Sequence, residues 1–329
     1  MRKLVIVTAL LTAPIIGVFA PNALAQGSVV TASPTPPPPP LLRPPPLEDV
    51  LKISSNLIVV PVSVSDGKGQ PVQGLKAEDF RLEEEGRPQQ IAQIEDAEQI
   101  PLELAILLDV SGSVKGRFSF EKEAASRFIK STLKPTDNAV LYAIDSTPRL
   151  VRDRGDANQI AASLQSVEAT DSPTAFYDSV VAAAEYLSRN TSPQHRRVIL
   201  VISDGEDTFS DNVHSANNTA QALLRSDAIF YSINPEGQSI ELNAIARRGQ
   251  NDMQTLATST GGSAFIPSAP EKLDDIFRQI AAELRSQYLL GYYGQADMPK
   301  GAFLRIAVKV PNQPGLRIRA RQGYYVTQN

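Results

Sequence analysis

A run of apolar residues that stops at an acid is the feature that most constrains this chain. Residues 104–108 are apolar, Asp109 follows them, and Ser111 and Ser113 then stand at alternate positions. An apolar run without polar interruption predicts a strand buried on both faces, as in a parallel sheet covered by helices. The acid and the two hydroxyls would lie at the carboxyl end of that strand, where open α/β sheets bind ligands.

Strand-like and helix-like segments alternate from about residue 102 to residue 293. This alternation predicts an α/β fold with a doubly wound, mostly parallel sheet and crossover helices. We predict the strands of this sheet at residues 104–108, 139–144, 198–202, 228–233, 263–266 and 287–292. We predict helices at residues 119–133, 157–167, 175–188 and 270–286. Asp156, with Gln159 three residues later, predicts a capped start for the second helix.

Both ends of the folded region have the alternating pattern of strands with one buried face, at residues 51–98 and 297–329. Alternate positions of the second segment form a basic ridge of three arginines: Arg317, Arg319 and Arg321. The acidic residues 83–85 are a natural neighbour for this ridge. We therefore hypothesise that both segments form one small companion β domain, with cross-strand Arg–Glu pairs worth roughly 0.2–1 kcal/mol each. The alternative is that both charge rows are solvated faces.

The first 25 residues predict a secretory signal peptide. Arg2 and Lys3 precede an apolar run, and residues 23–25 form a small-residue cleavage site. Prolines and a glycine within the run disfavour the alternative, an uncleaved membrane anchor. Residues 26–50 are rich in proline and predict an extended spacer. We expect an exported protein, periplasmic or extracellular, with no membrane span after cleavage.

Composition and motifs argue against several classes of function. The chain has no cysteine, which excludes disulfides and thiolate chemistry. Its formal net charge of −4 gives no support for nucleic-acid binding. It contains neither a P-loop nor a G-x-G-x-x-G motif, so nucleotide binding has no support. His195 and His214 accompany no G-x-S-x-G elbow, and we expect that the protein is not an enzyme.

Two later segments provide further oxygen donors for the Asp109 loop. Thr174 lies in a loop before a predicted helix, and Asp204 follows the apolar strand at residues 198–202. Because parallel strands bring their carboxyl ends to one edge of a sheet, we expect both residues beside Asp109. Hard oxygen donors suit Mg²⁺ or Mn²⁺ better than zinc. Four nearby acidic residues are interpreted as rim or capping residues: Asp171, Asp178, Glu206 and Asp207.

With these residues the chain resembles the von Willebrand factor type A domain over residues 100–293. The resemblance depends on the D-x-S-x-S motif, the threonine loop and the Ser-Asp-Gly turn, found in this order. It implies a metal-ion-dependent adhesion site formed by five residues: Asp109, Ser111, Ser113, Thr174 and Asp204. The hydroxyls would bind Mg²⁺ or Mn²⁺, and the carboxylates would supply charge directly or through water. The implied partner is a protein whose Asp or Glu carboxylate takes an open position on the ion.

The flanking β segments resemble those of exported bacterial proteins that carry such a domain. Three alternatives to a metal site that binds a partner stay open. In the first, Asp109 and Asp204 only cap helices, and Ser111 and Ser113 only shape a turn. In the second, the protein is a structural assembly component whose bound metal only stabilises loops. In the third, it is a metal-dependent hydrolase that uses the ion to activate water, although no general base is evident.

Overall fold

The computed structural model describes residues 57–211, 214–237, 244–295 and 298–326. The predicted signal peptide and proline-rich linker lie outside the described residues, as do residues 51–56 of the first β segment. Ile53–Asn329 forms one compact unit. Within the described ranges, no helix has both the length and the apolar character that a bilayer span requires.

The described residues form strands and helices that are numbered here in chain order. The strands are β1 (Leu57–Ser65), β2 (Arg81–Glu84), β3 (Arg87–Gln89), β4 (Ile91–Asp96), β5 (Leu102–Asp109), β6 (Asn138–Ile144), β7 (Pro148–Gly155), β8 (Arg196–Ile202), β9 (Ala228–Ile233), β10 (Ala264–Phe265), β11 (Tyr288–Tyr293), β12 (Phe303–Lys309), β13 (Arg317–Ala320) and β14 (Gly323–Tyr325). The helices are α1 (Phe118–Thr132), α2 (Ala157–Gln165), α3 (Phe176–Asn190), α4 (Ala216–Arg225), α5 (Ala244–Thr260) and α6 (Leu273–Ser286).

A six-stranded sheet in the order β10-β9-β8-β5-β6-β7 lies at the centre of the α/β region. Every pair in it is parallel except β6–β7. All eight residues of β5 are buried, as its apolar sequence predicts. The predicted α/β class with a mostly parallel sheet is confirmed. Asp109 lies opposite Ile144 of β6, and Leu108 lies opposite Ile202 of β8, so the three strands end together.

Each face of this sheet carries its own hydrophobic core. Leu104, Ile106 and Leu108 pack with α1, α2 and α6 on one face. Ala105 and Leu107 pack with α3, α4 and α5 on the other face. Alternate residues of one strand point to opposite faces, so an apolar run of this kind must be covered on both sides.

The predicted cap of α2 is confirmed. The side chain of Asp156 accepts hydrogen bonds from the N–H groups of Asn158, at 2.8 Å, and Gln159, at 3.0 Å. The side-chain oxygen of Gln159 accepts one from the N–H of Asp156. Together these bonds satisfy N–H groups at the helix start that have no partner within the helix.

Segments from both ends of the described chain, together with β11, form further antiparallel sheets, which are called the β domain below. Two antiparallel sheets, β13-β1-β11-β4 and β14-β12-β2-β3, enclose a third core. Val60, Val62 and Val64 of β1 are buried in this core, in agreement with the alternating pattern of the sequence. Its buried acid is Glu84, which accepts hydrogen bonds from the hydroxyls of Tyr292, at 2.6 Å, and Tyr324, at 2.9 Å.

The prediction that residues 287–292 belong to the parallel sheet is wrong. The strand exists as β11, but it lies between β1 and β4 in an antiparallel sheet. Leu290 and Tyr292, at alternate positions, are buried in the β-domain core. A short apolar strand fits either environment, so its sequence did not distinguish the two sheets.

The hypothesised pairs between the arginine ridge and residues 83–85 are also wrong. The ridge strand β13 pairs with β1, whereas β2 pairs with β12 and β3, so the two charge rows lie on different sheets. Glu83 forms ion pairs with Arg81, at 2.7 Å, and Lys309, at 3.4 Å. Instead, Arg319 binds Glu283 of α6, and Arg321 binds Asp227 before β9. These two arginines therefore attach the β domain to the α/β region.

The contact between the β domain and α6 contains a buried polar network. Glu283 accepts hydrogen bonds from Ser63 of β1, at 3.1 Å, and from Tyr231 of β9, at 2.5 Å, in addition to Arg319. Burial of Tyr231 raises the pKa of its hydroxyl well above the usual value, so the hydroxyl stays protonated and donates to Glu283. Because the Glu283 carboxylate receives these hydrogen bonds from three elements, the network favours one orientation of the β domain on α6.

Candidate functional site

Asp109 is the fully buried end of β5. Its Oδ1 accepts a hydrogen bond from the Ser111 N–H at 2.9 Å, and its Oδ2 accepts one from the Ser203 hydroxyl at 2.6 Å. Burial raises the pKa of Asp109 to about 6, although these hydrogen bonds oppose the rise. The carboxylate is therefore held in one orientation where its negative charge is only partly compensated.

Asp204 follows β8 and is 7% exposed. Its Oδ1 accepts a hydrogen bond from the Glu206 N–H at 2.9 Å. The negative charge of Asp204 also contributes to the raised pKa of Asp109, so the two carboxylates are electrostatic neighbours. Ser203, the residue before Asp204, links the Asp204 loop to Asp109. Its hydroxyl donates to Asp109 and accepts a hydrogen bond from the Gly205 N–H at 3.0 Å.

The Asp204 loop lies directly on α5 through two glycines. Gly205 has φ +80°, a conformation that other residues rarely adopt. A Cβ atom on Gly249 of α5 would lie 2.4 Å from the carbonyl oxygen of Gly205. Glycine is therefore required at both positions for the loop to approach the helix. The sequence analysis did not identify Gly249, because nothing in the local pattern marks a glycine that touches another loop.

Thr174 is buried in the loop before α3 and is bound to the Asp204 loop by main-chain hydrogen bonds. Its carbonyl accepts from the N–H groups of Thr208, at 2.9 Å, and Phe209, at 3.0 Å. Its own N–H donates to the Thr208 hydroxyl at 2.9 Å. Asp207 accepts from the Phe176 N–H, at 2.8 Å, at the start of α3, which agrees with its interpretation as a capping residue.

The motif of residues 109–113 contacts the loop that contains Thr174 at the residues that precede Thr174. Ser111 is 9% exposed and precedes a 3-10 turn at Gly112–Val114. The side chain of Ser113 lies outside the described part of the structure. A Cβ atom on Gly112 would lie 3.2 Å from a carboxylate oxygen of Asp171, which forms an ion pair with Lys115 at 2.6 Å. Asp171 is therefore a rim residue, as interpreted from the sequence.

The loops thus bring Asp109, Ser111 and Asp204 together. Thr174 is joined to the Asp204 loop through Thr208. A further main-chain bond links the threonine loop to the carboxyl end of β6, because the Ala175 N–H donates to the carbonyl of Asp145 at 2.9 Å. All three segments that the sequence analysis selected therefore meet at one edge of the sheet.

Two acidic residues near this edge were missed by the sequence analysis. Glu121 of α1 is 1% exposed, and among the described residues neither of its carboxylate oxygens has a hydrogen-bond partner. Burial, together with the charges of Asp109, Glu236 and Asp204, raises its pKa to about 8. Glu236, after β9, has a raised pKa for the same reasons. Spacing gives a signal for Glu121, which lies three residues after buried Phe118 on the apolar side of α1.

One nearby cation offsets part of this negative charge. Arg117 donates to the carbonyl of Pro235 at 3.2 Å and forms an ion pair with Glu236 at 3.3 Å. Its charge lowers the pKa of Glu121, but less than burial raises it. Four carboxylates are therefore gathered around the sheet edge: Asp109, Glu121, Asp204 and Glu236.

This chemistry fits a small divalent cation. The donors are hard oxygens, and a buried excess of carboxylates favours a positive ion. Among the described residues, no group of three or more His, Cys, Asp or Glu side chains is arranged to hold a metal. A cation at this edge would therefore depend on hydroxyl ligands in addition to carboxylates, which is the donor set that the motif provides.

The family model described as von Willebrand factor type A domain matches residues 104–206. A search of curated protein sequences found no significant match. Three solved structures that are similar to this chain are the following.

A von Willebrand factor type A protein from Catenulispora acidiphila has 13% identity and a TM-score of 0.47, and the alignment covers 84% of this chain and 76% of that chain. An aerotolerance-related membrane protein from Bacteroides fragilis NCTC 9343 has 18% identity and a TM-score of 0.43, with 56% of this chain and 98% of that chain covered. The conserved hypothetical protein BatB from Bacteroides thetaiotaomicron has 18% identity and a TM-score of 0.40, with 55% and 97% covered. Similarities of this size carry no argument about function.

Proposed function

Since the chain carries a von Willebrand factor type A domain, matched over residues 104–206, we propose that it is a metal-ion-dependent protein-binding module. Domains of this family generally serve protein interaction. The proposed mechanism is capture of an acidic group of a partner through a bound divalent cation. The observation that carries the proposal is the buried Asp109 carboxylate, oriented by Ser111 and Ser203 beside a second carboxylate, Asp204.

The proposed ligands of Mg²⁺ or Mn²⁺ are the five motif residues: Asp109, Ser111, Ser113, Thr174 and Asp204. When bound, the ion would supply an electrophilic position that accepts an outside carboxylate. Hydroxyl ligands are neutral, so the two carboxylates at most balance the charge of a divalent ion, and Mg²⁺ commonly keeps exchangeable water that an outside carboxylate can replace.

The residues of the chain prepare this site by fixing the loops. The Ser111 N–H and the Ser203 hydroxyl hold the Asp109 carboxylate, so it loses little freedom when an ion binds. Asp207 holds the Asp204 loop on the first turn of α3. This arrangement also keeps Phe209, which is 57% exposed, next to Thr174. An exposed aromatic ring beside the site offers an apolar contact to a partner.

Titration calorimetry with Mg²⁺ and with Mn²⁺ tests the metal. We expect saturable metal binding to the wild type and about 100-fold weaker binding to Asp109→Asn. Removal of a metal ligand weakens binding more than removal of a residue that only orients a ligand. Asp171→Asn is the matched control, because that exposed carboxylate lies on the same loops but pairs with Lys115. Equal binding by wild type and Asp109→Asn would contradict the proposal.

Partner capture is tested with the immobilised chain and a cell-envelope extract, in Mg²⁺ and in EDTA. We expect the retained partner to be lost in EDTA and with Asp109→Asn, but kept with Asp171→Asn. A partner retained equally in EDTA would favour the alternative in which the metal only stabilises loops. We also propose that the chain is exported through its N-terminal leader, and detection of the protein in a periplasmic or extracellular fraction tests this.

A further inference from the structure

A second candidate site lies at the opposite, amino-terminal end of the parallel sheet. A cavity of about 680 Å³ is bounded there by the outer face of β1 and β11, the first residues of β8 and β9, and the end of α4. This volume is within the range of small-molecule sites in proteins. The cavity shares no residue with the Asp109 loops, so its contents are independent of the function proposed above.

Two adjacent arginines at the start of β8 line the cavity without a carboxylate partner among the described residues. Arg197 is 8% exposed and donates to the Thr191 hydroxyl, at 2.8 Å, and to the carbonyl of Ser226, at 2.9 Å. Arg196 donates to the carbonyls of Ile100, at 3.3 Å, and Leu284, at 2.6 Å. Neutral carbonyls orient these guanidinium groups, while burial lowers the pKa of Arg197 and the more distant carboxylates of Asp227 and Glu103 offset part of that effect.

Two further arginines approach the turn that joins α4 to β9. Arg321 is 9% exposed, binds Asp227, and donates to the carbonyl of Val59 at 2.9 Å. Its buried Nε has no hydrogen-bond partner among the described residues. Arg225 lies on the same turn, with its guanidinium carbon 4.2 Å from the ring centre of Tyr325. The described lining of the cavity thus contains four arginines and two carboxylates, Glu95 and Asp227, of which Asp227 pairs with Arg321.

Part of the cavity lining is apolar. Leu57 and Val59 of β1 belong to this part and are each 39% exposed, although β1 is otherwise a strand of the β-domain core. Pro61 and Leu289 extend this apolar wall towards α6. A polar end rich in guanidinium groups and an apolar wall together match a ligand that has one anionic end and an apolar body.

We infer that this cavity binds a carboxylate carried on an apolar body, with Arg197, Arg225 and Arg321 around the carboxylate and β1 along the body. Guanidinium groups bind carboxylates through two parallel hydrogen bonds, and the exposed guanidinium group of Arg225 is the donor best placed to form them. The carboxylate has two plausible sources that share this chemistry, a lipid-derived acid and the terminus of an apolar peptide.

Calorimetry on the full-length chain in EDTA tests this site without any contribution from a metal. The probes are octanoate for the lipid-derived source, N-acetyl-leucyl-valine for the peptide-derived source, and 1-octanol as the neutral analogue. We expect one carboxylate per chain to bind, with 1-octanol at least tenfold weaker than octanoate. The tighter of the two acids identifies the source.

Arg225→Gln is the informative variant, because Arg225 is exposed and its replacement should leave the fold intact. We expect this variant to bind octanoate about tenfold more weakly, with an unchanged melting temperature, and Arg225→Lys to lose less. Arg278→Gln, on the exposed face of α6, is the matched control and should bind like the wild type. No binding of either acid, equal binding of 1-octanol, or equal binding by Arg225→Gln would overturn the inference.

Discussion

The two ends of the parallel sheet differ in the sign of the charged side chains that predominate there. The carboxyl end gathers four carboxylates around one guanidinium group, that of Arg117. The amino end gathers four arginines around a cavity, where Asp227 pairs with Arg321. Both ends are built from loops and turns of the same sheet, and both include buried charged groups, such as Asp109 at one end and Arg197 at the other.

This difference suggests what each end can bind. A buried charge without a counter-charge is unfavourable, so each end favours a ligand of the opposite sign. The carboxyl end suits a cation and the amino end suits an anion. Independent behaviour of the two ends is expected, because their lining residues do not overlap.

Gly249→Ala should have the largest effect, and at the acidic end only. The new Cβ atom would lie 2.4 Å from the Gly205 carbonyl oxygen, so the Asp204 loop or α5 must move. We expect a loss of about 1–3 kcal/mol in the free energy of unfolding, where Gly→Ala in a helix would otherwise stabilise. Urea denaturation measures this change.

We expect the same variant to bind Mg²⁺ about tenfold more weakly, while octanoate binding stays unchanged. Gly116→Ala is the control, because no atom lies within 4 Å of its added Cβ. Stabilisation by Gly249→Ala would show that the loop does not pack on α5 as described. A parallel loss of octanoate binding would show that the two ends are coupled.

Glu121→Gln should have a smaller effect with a defined pH dependence. The pKa of Glu121 is about 8 in the folded chain and ordinarily 4.5, so the folded state binds this proton more tightly than the unfolded state. Wild-type stability should therefore fall as the pH rises from about 4.5 to about 8. Glutamine carries no such proton, and its variant should lose less stability over this range.

We expect Glu121→Gln to be more stable than the wild type by about 1 kcal/mol at pH 8 in EDTA, and the gain to disappear near pH 4.5. Urea denaturation at both pH values measures this difference. Glu123→Gln on the exposed face of α1 is the control and should show no such change. Destabilisation by Glu121→Gln at pH 8 would mean that the carboxylate has a favourable partner, and that the acidic end carries less excess charge than described.

Asp227→Asn should have the smallest effect on stability and acts at the basic end. Asp227 has φ +54°, which asparagine adopts readily, and its side chain is 60% exposed. We expect a change below about 0.5 kcal/mol in the free energy of unfolding. Because the variant releases Arg321 from its carboxylate, octanoate should bind about two- to fivefold more tightly. Weaker octanoate binding would show that Asp227 positions Arg321 rather than competing with the ligand.

The strand β5 and its terminal acid were predictable from the sequence, because a continuous apolar run has few alternatives to a strand covered on both faces. The assembly of the Asp109, Thr174 and Asp204 loops at one edge followed from the direction of parallel strands. Glu121 was in principle accessible from its helical spacing, but an acid in a helix is usually an exposed residue. Gly249 gave no local signal, because its importance depends on a contact with Gly205 that the chain makes only after folding.

The sequence by itself determined the α/β class, the alternating strands of the two flanking segments, and the meeting of the Asp109, Thr174 and Asp204 loops at one edge of the sheet, because periodicity and strand direction are local properties. Only the tertiary structure decided that β11 lies in the antiparallel sheet and that Arg319 and Arg321 bind Glu283 and Asp227 instead of residues 83–85. Sheet membership and ion pairing depend on which elements become neighbours. That choice follows from how the cores pack, and the residues concerned would suit several neighbours equally well.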